Sequence, residues 1–526
     1  MHDAPTANLS RILDWARWRY GDREALVYEE RTWTYDELDR DVNALAAGLL
    51  EHGVGIDDRI GVLAMNRPEY LLLALALAKV GAVMVPLNYR LHEEELHYLL
   101  DHSGVKGLAS EAEFAEISQR LAERLPALGT NVALDDDVEG WIGVSALVSQ
   151  HAGTRVPDAE RRPGDLQRVL YTSGTTSRPK GARITHGNTN ANMAVQVAEL
   201  GLTTETRLLV FAPLYHVGGL DVPGYSVWYA GGTIVLMRRF DVRSLLEAIQ
   251  TQRITGMGMV ATMVHQIRAL PERKDYDTSS MRWMIFSQVT PALFHETRTV
   301  FPTAQLIEGY GLTETTNGLT YLDMAHMLEK QGSAGRPLHG VDIRIVNDND
   351  EEVPAGTPGE IVVRSAKVCD GYLDDPEATA RAFRGSWFHT GDVGQLDEDG
   401  YLFILDRLKD MIRSGGENVA SSEIEAVVYE IEGVQEAAAI AVPHPNWVEV
   451  PAIFVVPAHG ATIDPAAVIA HCDGRLGRFK VPKAVYFLDE LPRNPSGKVL
   501  KRELRDRIDE LEPAWTYDRQ PAQLGE

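Results

Sequence analysis

The sequence predicts an α/β protein: a large N-terminal domain of βα subdomains carrying a small β-rich subdomain, followed by a smaller α+β C-terminal domain. Three observations predict it. Strand-like apolar runs alternate with helical periodicity through roughly the first 400 residues, the pattern of largely parallel, buried sheets. From about Val341 the texture changes to short strands and turns, as in VDIRIVNDNDEEVPAGTPGEIVVRS, where NDND, PAG and PG are turn signals. After LDEDGYLFILDRLKD a second βα texture runs to about Ile508.

Taken in order, RIGVLA (59–64), GAVMVPL (81–87), RLLVFAPL (207–214) and TIVLM (233–237) read as strands, and PEYLLLALALAKV and DVRSLLEAIQTQR as helices between them. The expected domains are 1–405, with the β-rich part at about 341–405, and 406–526, joined at about 406–410. The final LEPAWTYDRQPAQLGE reads as a poorly ordered tail.

A chain of 526 residues exceeds what one core supports. Its 51 basic and 76 acidic residues leave a net charge of −25, which argues against bulk binding to nucleic acid or anionic lipid. The two cysteines, Cys369 and Cys472, have neither CxxC nor metal-site spacing; they fit a reducing compartment and exclude a disulfide framework. The N-terminal stretch carries Asp and Glu among its apolar residues, unlike a secretory signal. The apolar run Tyr70–Leu87 is broken by Lys79 and Gly81 and falls short of a membrane span. A cytoplasmic, soluble protein without integral membrane association is expected. His92 and His97 in LHEEELH lie about 140° apart on a helix and cannot share a metal.

Four segments carry chemistry. YTSGTTSRPKGA (171–182) is a Ser/Thr/Gly loop closing on Lys180, with backbone N–H groups and hydroxyls suited to anionic oxygens. Its lysine precedes the glycine, unlike the hydrolase phosphate loop. In EGYGLTETT (308–316), Glu314 offers a hard oxygen to Mg2+ and Thr313 a hydroxyl to phosphate. In SWFHTGDVGQLDEDGYLFILDRLKDMIRSGGENV (386–419), Asp392 can accept bonds from two vicinal ribose hydroxyls, and Arg407 can face the same ribose or a phosphate. LPRNPSGKVLKREL (491–504) sets Lys498 on a turn. Each alone reads equally as a polar surface turn.

Together and in this order they resemble the adenylate-forming acyl-CoA synthetases, whose patterns are [YF]TSGTTGxPKG, YGxTE, TGD…DRxKD and PRxxxGK. The resemblance runs from about residue 9 to 508. It implies ATP-dependent activation of a carboxylic acid as acyl-AMP with loss of pyrophosphate, then transfer to coenzyme A, with ATP, Mg2+ and coenzyme A as cofactors and co-substrates. By resemblance the catalytic set is Lys498, Thr175, Glu314 and His216, with Thr175 and Glu314 at the metal. Nucleotide contacts fall on Thr172, Ser173, Gly174, Thr175, Thr176, Lys180, Ser287, Gln288, Glu308, Gly309, Tyr310, Gly311, Thr313, Asp392, Ile404, Arg407 and Lys498. His216, Gly218, Gly219, Val222, Phe286 and Gly309 would line the acyl pocket. The C-terminal domain would be mobile about Lys409, bringing Ser414, Gly415, Gly416 and Glu417 to coenzyme A.

Two departures stand out. Ser177 replaces the loop's usual glycine, and Ile285–Gln288 replaces a GGAP run, so that Phe286 would shorten the acyl cavity and favour a short or medium fatty or aryl acid. The competing readings are a free-standing enzyme that loads a carrier protein and a non-catalytic acyl or nucleotide sensor. A homodimer is the assembly considered.

Overall fold

A computed structural model describes residues 6–135, 138, 140–172, 179–287, 289–408, 410–414, 417–444, 448–493 and 499–516. Ser173, Gly174, Thr175, Thr176, Ser177, Gln288, Lys409, Gly415, Gly416 and Lys498 lie outside them, as does the side chain of Glu417. Two compact units are present. One comprises the chain to Arg344 with Val362–Thr390 and Asp397–Phe403; the other comprises Ile345–Ile361, Gly391–Leu396 and the chain from Ile404.

In the first unit one sheet runs Ile142–Gly143, Thr130–Ala133, Gly107–Ser110, Arg59–Leu63, Val83–Pro86, Leu166–Thr172, Lys180–Thr185. Its pairings are parallel except the last, an antiparallel hairpin. The helix Pro68–Val80 is apolar on every face and buried on nearly every residue, as a helix covered all round must be. Proline at its first turn and left-handed Gly81 at its C-cap set its ends. Strands Val83–Pro86 and, apart from Arg59, Arg59–Leu63 are buried along their length, as the apolar runs of a parallel sheet are. LHEEELH departs from the helical reading at one point. His92 is the N-cap of the helix Glu93–Ser103, where its Nδ1 accepts from the Glu94 N–H.

The second sheet of this unit places Trp283–Phe286 between Gly256–Met259 and Gln305–Tyr310, all parallel. Gln305–Tyr310 then pairs antiparallel with Thr320–Asp323. Alternation sends Trp283 and Ile285 into one core cluster and Met284 and Phe286 into another.

A buried ion pair ties the strand leading to the Ser/Thr/Gly loop to the segment after His216. Arg168 Nη2 donates to Asp221 Oδ1, and both side chains are 1% exposed. Around them, among the described residues, Arg168 Nε, the Tyr70 hydroxyl and Ser226 Oγ have no hydrogen-bond partner. Asp221 is the largest support of the Arg168 charge against burial. Asp221→Asn is expected to cost about 3–5 kcal/mol of stability by stranding it; a urea midpoint within experimental error of the parent would show the pair to be idle.

The second unit holds a sheet ordered Glu417–Val419, Ile412–Ser414, Val448–Pro457, Ala484–Phe487, Trp515–Thr516, with Val434–His444 also paired to Val448–Pro457. Helices Ser421–Val428 and Pro465–Asp473 contribute Ile424, Val428 and Val468 to its core. The first part of the expected tail, to Thr516, departs from expectation; residues 517–526 lie outside the described residues. Trp515 pairs with Val485 and packs on that core, so burial of its indole orders the chain to Thr516. Among the described residues no helix is long and apolar enough to cross a membrane.

Candidate active site

The hairpin Leu166–Thr172 and Lys180–Thr185 holds both ends of the Ser/Thr/Gly loop. Thr172 and Lys180 stand directly opposite each other in its register. Glu314 lies on a single 3-10 turn, Thr313–Thr315, that follows the strand Gln305–Tyr310. Its Oε1 accepts from the Tyr372 hydroxyl at 3.0 Å and from the Thr172 hydroxyl at 3.4 Å. Lys180 Nζ lies 5.2 Å from the centre of the Tyr372 ring. Thr172, Lys180, Glu314 and the previously unassigned Tyr372 thus form one group. Burial, and next the Glu314 charge, push the Tyr372 phenol well above its ordinary value, so it remains a donor.

The backbone locks this group. Cys369 N–H donates to the Glu314 carbonyl at 2.6 Å, Leu373 N–H to Gly181 at 2.8 Å, and Arg183 N–H to Gly371 at 3.0 Å. The Gly-Tyr pair of KVCDGYL is therefore laced to the loop hairpin and to the Glu314 turn at once. Sequence reasoning missed Tyr372 because a Gly-Tyr pair is an ordinary turn until its long-range partners are known.

Glu308, expected at the nucleotide, is buried, and its Oε2 accepts from Val289 N–H at 2.9 Å. Burial raises its pKa from 4.5 to about 7, against the lowering effect of that bond. Between those values the native state keeps a proton that the unfolded chain has released, so stability falls as pH rises through the window. Glu308→Gln keeps an acceptor for Val289 and is expected to flatten this fall, about 3 kcal/mol across the window. Urea midpoints from pH 4.5 to 8 check it; an unchanged slope would assign the effect elsewhere.

Toward the expected acyl pocket, His216 precedes the short helix Val217–Leu220, and its Nδ1 accepts from Gly218 N–H at 3.2 Å. That leaves the neutral ring's proton on Nε2. Protein around most of the ring lowers its pKa although its outer edge is exposed. Gly309 faces the Tyr321 ring so closely that an added Cβ would sit 2.9 Å from it. Val222, Ile285, Ile307 and Tyr321 share one cluster. Phe286 is not brought to this group: it is 1% exposed and packs on the other face, with Val289 and Leu293. Ser287 is exposed.

In the second unit Arg407 Nε lies 2.5 Å from Asp392 Oδ1. Asp392 is buried, and Gly391 before it has a positive φ of 70°. Asp406 accepts from Arg407 N–H at 2.7 Å and from Ser421. Ile404 is exposed and Ser414 buried. The hairpin Ile412–Ser414/Glu417–Val419 brackets Gly415 and Gly416. An Arg493–Val499 bridge brackets the segment containing Lys498.

In the first unit a loop hairpin and two hydroxyls on one carboxylate are suited to phosphates; in the second, taken by itself, an Asp–Arg pair is suited to a ribose. The chain belongs to the family of AMP-binding enzymes, which it matches over residues 13–373, and it matches the AMP-binding enzyme C-terminal domain over 423–498. It is 41% identical over 479 residues to a feruloyl-CoA synthase of Amycolatopsis sp, covering 90% of this chain and 94% of that one. It is 36% identical over 490 residues to the indoleacetate–CoA ligase of Aromatoleum aromaticum, covering 92% and 95%. The o-succinylbenzoate coenzyme A synthetase of Bacillus subtilis, solved with ATP and magnesium ion, superposes with a TM-score of 0.82 at 29% identity, covering 95% and 99%.

Proposed function

We propose that this chain is an AMP-forming carboxylate–CoA ligase acting on a compact aryl acid. The observation that carries the reading is the Glu314 carboxylate, joined to the Thr172 and Tyr372 hydroxyls at the mouth of the loop that Lys180 closes. In the first half-reaction a substrate carboxylate oxygen bonds to the α-phosphorus of ATP while the bond to the β-phosphate oxygen breaks, giving acyl-AMP and pyrophosphate. In the second the coenzyme A thiol loses its proton, its sulfur bonds to the acyl carbon, and AMP leaves.

An anion attacking a polyanion is limited by charge and position, and these are what the residues supply. Lys180 and the loop hydroxyls are assigned to the phosphates that leave, and Lys498 to the carboxylate and the α-phosphate. Asp392 holds the ribose, oriented by Arg407. Among the described residues no cluster of three His, Cys, Asp or Glu could hold a metal. A single hard carboxylate such as Glu314 fits Mg2+ that takes its other ligands from phosphate and water; the family resemblance adds the Thr175 hydroxyl. Bound there, Mg2+ would neutralise phosphate charge. Lys409 is proposed as the hinge for the second half-reaction, and Ser414–Glu417 as the segment that meets coenzyme A.

The aryl preference rests on the aryl acids named for the two curated relatives, with the Tyr321 ring packed on Gly309 as an aromatic neighbour of the expected pocket. Aliphatic, aryl and dicarboxylic acids, each supplied with ATP, Mg2+ and coenzyme A, provide the test, with products identified by mass. Aryl-CoA as the dominant product is expected. Acyl-AMP without any thioester would favour carrier loading, and ATP binding without pyrophosphate release would favour the sensor.

A further inference from the structure

The segment just after the Glu314 turn carries three consecutive left-handed residues: Thr316 (φ 48°), Asn317 (φ 59°) and Gly318 (φ 56°). Glycine and asparagine tolerate this conformation, but a β-branched threonine is strained in it. One buried residue grips both ends of the run. Thr316 Oγ1 shares its proton between the Thr315 carbonyl at 2.8 Å and the Lys367 carbonyl at 3.2 Å, and Lys367 Nζ donates to the Gly318 carbonyl. Lys367 is fully buried.

The strained run is also the support of the nucleotide segment. Asn317 N–H donates to the Leu312 carbonyl at 2.9 Å, and Leu319 N–H to Tyr310 at 2.6 Å. Gly311 lies so close that an added Cβ would sit 2.3 Å from Gly318 N and 2.7 Å from the Asn317 carbonyl carbon. On the far side, a Cβ on Gly318 would sit 3.3 Å from the Tyr321 hydroxyl, whose ring backs Gly309. The turn therefore sits between Lys367 and the Tyr310–Glu314 segment.

A buried lysine and a left-handed threonine both oppose folding. An apolar side chain at 367 would avoid the first cost and leave the turn without its clamp. Burial lowers the lysine's pKa to about 7, while Asp221 and Glu199 favour its charged form. In its charged form Lys367 makes the charge-assisted kind of bond to Gly318, stronger than a neutral pair.

We propose that Lys367 is a positioning residue for adenylation, clamping the Thr316–Gly318 turn so that Gly311 and Glu314 are held in register for ATP. The proposal rests on the ligase reading above. Its test is pyrophosphate release by the full-length Lys367→Met protein, with ATP and the acid varied separately, beside thioester formation from supplied acyl-adenylate. The kcat of adenylation is expected to fall about 10-fold, the loss of one charged hydrogen bond. Both KM values and the thioester step stay near wild type. Adding Thr316→Gly should recover most of the loss, because glycine takes the left-handed conformation without a clamp.

Wild-type adenylation in Lys367→Met, equal losses in both half-reactions, or no recovery from Thr316→Gly would overturn the role. Should Lys367→Met not fold, Lys367→Gln is read by the same criteria. A wild-type enzyme that makes no acyl-adenylate from any acid overturns the ligase reading and this proposal with it; the variant outcomes overturn this proposal alone.

Discussion

Lys498→Ala is expected to slow pyrophosphate release by about 10²–10³-fold, the usual cost of removing one electrostatic donor from a developing charge. Attack of a carboxylate on the α-phosphate concentrates negative charge between two anions, and a single ammonium bridging them relieves both. The lysine ends the matched C-terminal domain at residue 498. Its proposed work ends once the adenylate exists, because the second half-reaction needs a different part of the C-terminal chain. Thioester formation from supplied acyl-adenylate should therefore survive in the same variant. Single-turnover measurement of each half separates the roles; equal loss in both would remove Lys498 from the adenylation step.

Glu314→Gln should lower adenylation by about 10²-fold while leaving the fold in place. The amide keeps an oxygen for the Thr172 and Tyr372 hydroxyls, which now meet on Oε1, but it removes the negative charge that a hard cation requires. The loss should therefore shrink as Mg2+ is raised, since weaker cation binding can be overcome by mass action. Pyrophosphate release titrated with Mg2+ in both proteins reads this directly. A defect independent of Mg2+ would make Glu314 an anchor for the two hydroxyls rather than a metal ligand.

Much of the scaffold is legible in the sequence because its signals are local. The all-round apolar PEYLLLALALAKV reads as a buried helix, and it is one. The alternation of strands and helices gives parallel pairing without any tertiary information. The motif segments are legible for the same reason: hydroxyls, glycines and one lysine within a dozen positions already define a phosphate-facing loop.

Contacts between distant positions were not legible. Tyr372 is 58 residues from the carboxylate it meets, and Lys367 is 49 from the carbonyl it holds. Phe286 shows the converse. Its size and its place in the motif suggested the acyl wall, yet strand alternation turned it into the opposite core and left Ile285 on the face shared with Tyr321. A one-residue shift reverses the face a strand residue presents, and no motif reports it.

By itself the sequence determined the family, the order of elements and the types of group available for adenylation, because these depend on composition and spacing along the chain. Only the tertiary structure decided which of those groups meet. It set Tyr372 beside Thr172 on Glu314, paired Arg407 with Asp392, and placed a buried lysine across a left-handed turn. The physical reason is that such contacts are made by packing, which joins positions tens of residues apart and can hold charges and strained backbone that no local preference favours.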